Sequence, residues 1–169
     1  MATAFDKGKM DARAYCIGLP LLADADREAR RLGHSYIAPE HLLLAVASHA
    51  DGASRAFLAR HDLTPDALRQ SIAMLVGTAD QPDDMVAFDA ERPLTIALRS
   101  QVALAHAIGA ASQRGDAALA FTPDELFGGL LADKVAPGAV VGAVLERAGL
   151  SVDAARAEFA ALSDGGTAT

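Results

Sequence analysis

Apolar residues in this chain recur at three- and four-residue intervals, and one such pattern occurs twice. Leu42, Leu43 and Val46 return as Leu126, Phe127 and Leu130, while Leu68, Ile72 and Leu75 return as Ala155, Phe159 and Leu162. Intervals of three and four place side chains on one face of a helix. Repetition of the whole pattern marks an internal duplication. Each copy, Gly33 to Leu75 and Gly109 to Leu162, starts at a glycine stop and runs through a helix led by proline and an acid. A small-residue helix follows, and then a Leu-Thr/Ser-x-Asp-Ala start to the last helix. The pattern predicts an all-α fold of eight helices, arranged as two four-helix halves.

Punctuation sets the boundaries. Residues 1–10 read as a flexible leader, and the first repeat spans 11–77. Its opening helical pattern, about Asp11 to Leu32, is interrupted at Gly18 and Pro20, where proline removes a helical hydrogen bond and forces a break or kink. Gly33 supplies a left-handed stop, with Arg30 and Arg31 at the negative end of the helix dipole. Pro39 starts a helix through about Ser48, Gly52 to Arg60 forms a short one, and Thr64 caps the next with Pro65 at its first position. Gly77 ends it. Residues 78–91, with Asp-Gln-Pro-Asp-Asp, read as a linker.

The second repeat spans 92–162. Its first helix is expected from about Arg92 to Ala111, and Ala110 to Ala120 is an insertion relative to the short turn from Gly33 to Ala38. Thr122-Pro123-Asp124-Glu125 has the form of a capping box. Gly138 to Ala148 and Ser151 to Leu162 complete the set, and 163–169 reads as a flexible tail.

Composition narrows the function. The chain has 169 residues, enough to bury roughly 70% of its unfolded surface. Hydrophobic residues make up 51%, largely alanine, and tryptophan is absent. Alanine's helix propensity supports closely packed helices, and the alanine, arginine and aspartate bias suits a GC-rich bacterial source. Fifteen basic against 22 acidic residues give a net charge of −7, the opposite of a nucleic-acid-binding face. No apolar run approaches the ~20 residues that cross a bilayer, and Met1 to Met10 lack the apolar core of a signal peptide. The expected location is cytoplasmic.

Few residues offer chemistry. His34, His41, His49, His61 and His106 show no tight metal-ligand spacing such as His-Glu-x-x-His, so no metal is expected. Cys16 is alone and reads as a small buried filler. No phosphate loop or nucleophile elbow is present, so neither a cofactor nor a catalytic residue is assigned. Gly128-Gly129 reads as a site of close helix packing. Glu40 and Asp124 occupy one position in the two copies, after Pro39 and Pro123. Each complements a helix dipole. A pair of such carboxylates could also receive cationic groups, since a guanidinium pairs with carboxylate in a bidentate manner.

The segment Ala29 to Ala45, with Leu32-Gly33-His34, Ile37-Ala38-Pro39-Glu40-His41 and Leu42-Leu43-Leu44, resembles the Clp N-terminal domain, the double repeat at the front of the ClpA, ClpB and ClpC unfoldases. Gly52-Ala53 and Leu63-Thr64-Pro65-Asp66 continue the resemblance, and Phe121 to Leu131 carries it more weakly. The resemblance implies eight helices in two four-helix repeats related by a pseudo-twofold axis, and a role in receiving substrates and adaptors for an ATP-driven unfoldase. In the ClpC branch it implies two glutamates that bind phosphorylated arginine, and a surface targeted by cyclic peptide antibiotics. Glu40 carries over directly. Asp124-Glu125 stands where the family has glutamate and histidine, and Phe88 is the nearest counterpart of an antibiotic-contacting aromatic. The ligand-binding candidates are therefore Glu40, Asp124, Phe88, His41 and Glu125, with the first copy expected to keep its site and the second to have drifted.

The family's long members continue into ATPase modules and this sequence ends at Thr169, so a stand-alone, non-catalytic binding protein is expected. It would act as adaptor, competitor or decoy, with the Clp unfoldase, its adaptors or client peptides, and cyclic peptide antibiotics as partners. The alternatives are a helical regulator acting through self-association, and a small enzyme using Glu40, His41 or Glu125.

Overall fold

A computed structural model describes residues 20–77, 94–115, 120–132 and 138–165. Eight helices run through them: α1 (Pro20–Arg31), α2 (Pro39–His49), α3 (Gly52–Arg60), α4 (Pro65–Val76), α5 (Leu98–Gln113), α6 (Pro123–Ala132), α7 (Gly138–Arg147) and α8 (Val152–Gly165). The duplication is visible in the packing. α2 lies against α6 at the centre, α3 packs on α8, and α4 packs on α7, so each half leans on the other through reciprocal pairs.

The repeated apolar positions explain this arrangement. Leu42, Leu43 and Val46 from α2 and Leu126, Phe127 and Leu130 from α6 are all buried in one continuous core. Phe57, Phe127 and Phe159 form an aromatic ladder from α3 through α6 to α8, with centroid distances of 5.2 and 4.9 Å. Tilted and edge-to-face pairs of this kind add about 0.5–1.5 kcal/mol beyond the area they bury. The last repeated trio follows the pattern less closely. Leu68 and Ile72 are buried, but Leu75 lies on the exposed side near the end of α4.

The predicted caps form as expected. Thr64 Oγ1 accepts the Ala67 amide, Gly77 ends α4 at φ 78°, and Gly33 leaves α1 at φ 75°. Three boundaries differ from expectation. The stop expected at Gly109 is not used: α5 runs through Gly109 to Gln113, and the left-handed glycine after it is Gly115, at φ 84°. α5 begins at Leu98 rather than near Arg92, because Thr95–Ile96 forms a short strand, β2, parallel to β1 (Tyr36–Ile37). The Ala97 amide also donates to the Ile37 carbonyl at 2.9 Å, which commits these residues to extended backbone before the helix can start. At the other end, α8 continues to Gly165, so 163–165 belong to the helix rather than to a tail. There Ser163 Oγ donates to the Phe159 carbonyl one turn back. The Gly18 break, the leader and the 78–91 linker lie outside the described residues.

Three acids on α1 hold it to the rest of the chain. Asp24 pairs with His49, Asp26 accepts the Leu94 amide ahead of β2, and Glu28 accepts Arg69 from α4 at 2.8 and 2.9 Å. Among the described residues, no helix is long and apolar enough to cross a membrane.

Candidate functional site

The two repeat-related carboxylates stand in different surroundings. Asp124, second in α6, reaches across to the start of α3. Its Oδ2 accepts the Ala53 amide at 3.0 Å and its Oδ1 accepts the Ser54 amide at 2.7 Å. Amides in a first helical turn have no intrahelical partner, so a residue from one half caps a helix of the other. Asp51, the local N-cap, makes no side-chain cap bond. Gly52 makes room for Asp124, with a left-handed φ of 46° and no side chain in the path of the carboxylate.

Glu40 is only 6% exposed. Burial raises its pKa above the ordinary carboxylate value, against smaller lowering effects from its own backbone amide and from His34. His41 next to it is fully buried. The Ala38 amide donates to His41 Nδ1 at 2.8 Å, and His41 Nε2 lies 2.8 Å from His34 Nδ1. Burial, with a smaller contribution from His34, pushes the His41 pKa down to about 3, so the ring is neutral.

Glu125 occupies the corresponding place in the second copy. Its Oε2 accepts the Thr122 amide at 2.8 Å, while the Glu125 amide donates to Thr122 Oγ1 at 3.2 Å, closing the predicted capping box. His41 performs half of this job at Ala38, which has no side-chain acceptor to complete the box. Glu-His and Asp-Glu are thus two solutions to one helix start: the second residue of each pair returns to the N-cap amide. Arg114, from the inserted segment, also donates to both oxygens of Glu125, at 2.9 and 3.2 Å. Desolvation would raise the pKa of Glu125, but the bonds from Arg114 and Thr122 outweigh it and hold the carboxyl low.

Between α3, α6 and α8 lies a groove of about 570 Å³. Ala53, Ala56, Phe159 and Leu162 give it an apolar floor, and Asp124 and Glu125 stand along its wall. Each carboxylate oxygen of Asp124 takes one amide and keeps further acceptor capacity.

Residues 20–141 match the Clp repeat (R) N-terminal domain. The chain belongs to the Clp N-terminal domain family. No curated protein matches the sequence. Among solved structures it is similar to the N-terminal domain of the ClpD chaperone from Arabidopsis thaliana, at 16% identity and a TM-score of 0.58, over 90% of this chain and 95% of that one. It is also similar to a structure described as part of a malarial protein secretion system, at 17% identity and a TM-score of 0.54, over 90% and 92% of the two chains. These two likenesses concern the fold.

The Clp N-terminal domain is a non-catalytic binding domain that receives substrates and adaptors, and its all-α double-repeat fold is the one seen here. Within it, the structure separates the expected site residues into two groups. Glu40 and His41 sit with His34 at the start of α2, whereas Asp124 and Glu125 line the groove. Phe88 lies outside the described residues. Sequence reasoning had not joined His34 to this set. The signal was its place just after the Gly33 stop, which turns the chain back over the start of α2.

The side-chain donors of His34, Glu40 and His41 converge within 4.8 Å of one another, a metal-like grouping that sequence spacing did not suggest. The hydrogen bonds argue against such a use. A ligating histidine donates from its second nitrogen to a neighbouring acceptor, whereas His41 Nδ1 accepts an amide. A metal at Nε2 would require that nitrogen to lose its proton while Nδ1 keeps its lone pair for Ala38. The donor set therefore fits a hydrogen-bond relay better than a metal centre.

Proposed function

We propose that this Clp N-domain protein captures peptide segments of Clp-system clients or adaptors in the groove between α3, α6 and α8, and acts as adaptor, competitor or decoy for ligands of an unfoldase N-domain. The observation that carries this reading is the pairing of an apolar floor with carboxylates on one wall. An apolar side chain would rest on Phe159 and Leu162 while a basic group meets Asp124. Phosphoarginine peptides and ClpC-directed cyclic peptides are the ligands that the family suggests. A decoy protects only when its concentration and affinity let it compete for free ligand.

Calorimetric titration with a phosphoarginine peptide, a ClpC-directed cyclic peptide and a Clp ATPase tests the proposal. Micromolar binding of at least one, lost in Ala56→Arg without loss of thermal stability, is the expected result. Ala56 is exposed in the groove, so its enlargement blocks the floor and spares the core. Absence of binding to all three would overturn it.

Self-association is a second reading, favoured by Met74, Leu75 and Val76, which are 64%, 39% and 40% exposed at the end of α4. Sedimentation across a concentration series decides it, and a strict monomer removes it.

A further inference from the structure

The relay at the start of α2 has a fixed direction. Because His41 Nδ1 accepts the Ala38 amide, a neutral His41 must carry its proton on Nε2. That proton points at His34 Nδ1, 2.8 Å away, so His34 Nδ1 must be bare. We propose that His34 is a proton-controlled switch at the entrance to β1: neutral, it holds His41; protonated, it releases His41 and turns to the carboxylate of Glu40.

The geometry gives the reason. A protonated His34 carries hydrogens on both nitrogens, which would set Nδ1–H against Nε2–H across 2.8 Å. His41 cannot resolve the conflict by moving its proton to Nδ1, because that nitrogen would then face the Ala38 N–H. It cannot escape to solvent either, being fully buried. Glu40, within 4.8 Å, is the one anionic group in the cluster able to accept from a cationic His34.

The other groups on the surrounding elements set the background. His34 follows α1, with its amide bonded to the Ala29 carbonyl, and the negative end of that helix favours a cation there. Arg30 and Arg31 at the end of α1 oppose it, and are paired with Asp26 and Glu28 respectively. On β1, Tyr36 stacks on the His34 ring at 6.3 Å with 14° between planes. β2 offers only Thr95 and Ile96, and on α5 the nearest charge is Arg99, whose stem lies near Gly138 beside Pro39. A change of partner at His34 would therefore be felt by both Tyr36, stacked on its ring, and Glu40.

Imidazole nitrogen–proton correlation spectra from pH 8 to pH 5 test the switch on the full chain. At pH 8 both His34 and His41 should show the Nε2–H tautomer. As the pH falls, His34 should gain a proton while His41 stays neutral, its Nε2–H signal should broaden, and the Tyr36 ring resonances should shift. In His34→Gln the side-chain oxygen accepts from His41 at every pH, so the fold should be retained and the Tyr36 shift should vanish. An Nδ1–H tautomer for His41 at pH 8, or the same Tyr36 response in His34→Gln, would overturn the proposal. So would a zinc-dependent rise in melting temperature that His34→Ala abolishes, since the cluster would then be a metal site.

Discussion

The carboxylate of Asp124 occupies the space that a side chain at Gly52 would need: a Cβ there would stand 2.6 Å from Oδ2. That oxygen cannot withdraw freely, because it also accepts the Ala53 amide. Glycine at 52 and aspartate at 124 therefore form one device, which fastens the start of α3 to the start of α6. Asp124→Ala removes the acceptor of two amides and should cost about 1–2 kcal/mol, the range of a strong helix cap. Gly52→Ala should cost a similar amount, from its left-handed φ and from expulsion of the carboxylate. The double variant should cost clearly less than the sum, since either change breaks the same contact. Denaturant unfolding of the four proteins checks this, and strict additivity would refute the coupling.

A pH dependence follows from His41. Its folded pKa of about 3 lies below the ordinary histidine value of 6.5. Between those values the unfolded chain binds a proton that the folded chain refuses. Stability should therefore be fully present above about pH 6.5 and fall as the pH drops towards 3, by up to about 1.4 kcal/mol per pH unit for one such group. His41→Gln can still accept the Ala38 amide and donate to His34, but does not titrate. It should fold and show a shallower acid slope. An unchanged slope in urea titrations at pH 4, 5 and 7 would count against a neutral buried His41.

Much of this fold was legible because helix ends are written locally. Pro39, Thr64-Pro65, Thr122 to Glu125 and the stops at Gly33 and Gly77 each act within one turn, and each sits where the pattern put it. What was hidden depends on partners far apart in sequence. The delayed start of α5 comes from the pairing of Thr95 and Ile96 with Tyr36 and Ile37, which no local propensity encodes. Asp124 looked like the counterpart of Glu40 because the two share a helix position. Only the packing of α6 across α3 shows one as an inter-repeat cap and the other as a buried carboxylate beside two histidines. The His34–His41 contact was missed because the six residues between them run through a strand and the start of α2 rather than along one continuous helix.

Glu125 gives an acid sensitivity of a different kind. Its carboxyl is held below the ordinary value by bonds from Arg114 and the Thr122 amide, in excess of the opposing desolvation. A depressed carboxylate adds stability above its unfolded pKa and loses it as the pH falls through the folded one. Glu125→Gln should therefore lower stability at pH 7 and flatten the loss below about pH 4.5. Thr122→Ala, which removes the other half of the box, should cost about 1 kcal/mol at any pH. Thermal melts at pH 7 and pH 3.5 separate the two. A pH-independent penalty in Glu125→Gln would show that the charge plays no part in this cap.

The adjacent glycines of α6 should respond in opposite ways to one added methyl group. A Cβ on Gly129 would lie 2.3 Å from the Ala103 carbonyl oxygen of α5, a backbone atom with no rotamer to give way. α5 and α6 would have to move apart, and overpacking of this kind costs about 1–3 kcal/mol. A Cβ on Gly128 meets only Phe159 Cε1, at 3.5 Å, which is ordinary contact. There alanine relieves glycine's entropic cost in a helix and should raise stability by about 0.5–1 kcal/mol. Melting curves of Gly128→Ala and Gly129→Ala should thus fall on opposite sides of the parent protein. A stable Gly129→Ala would mean that α5 and α6 do not approach this closely.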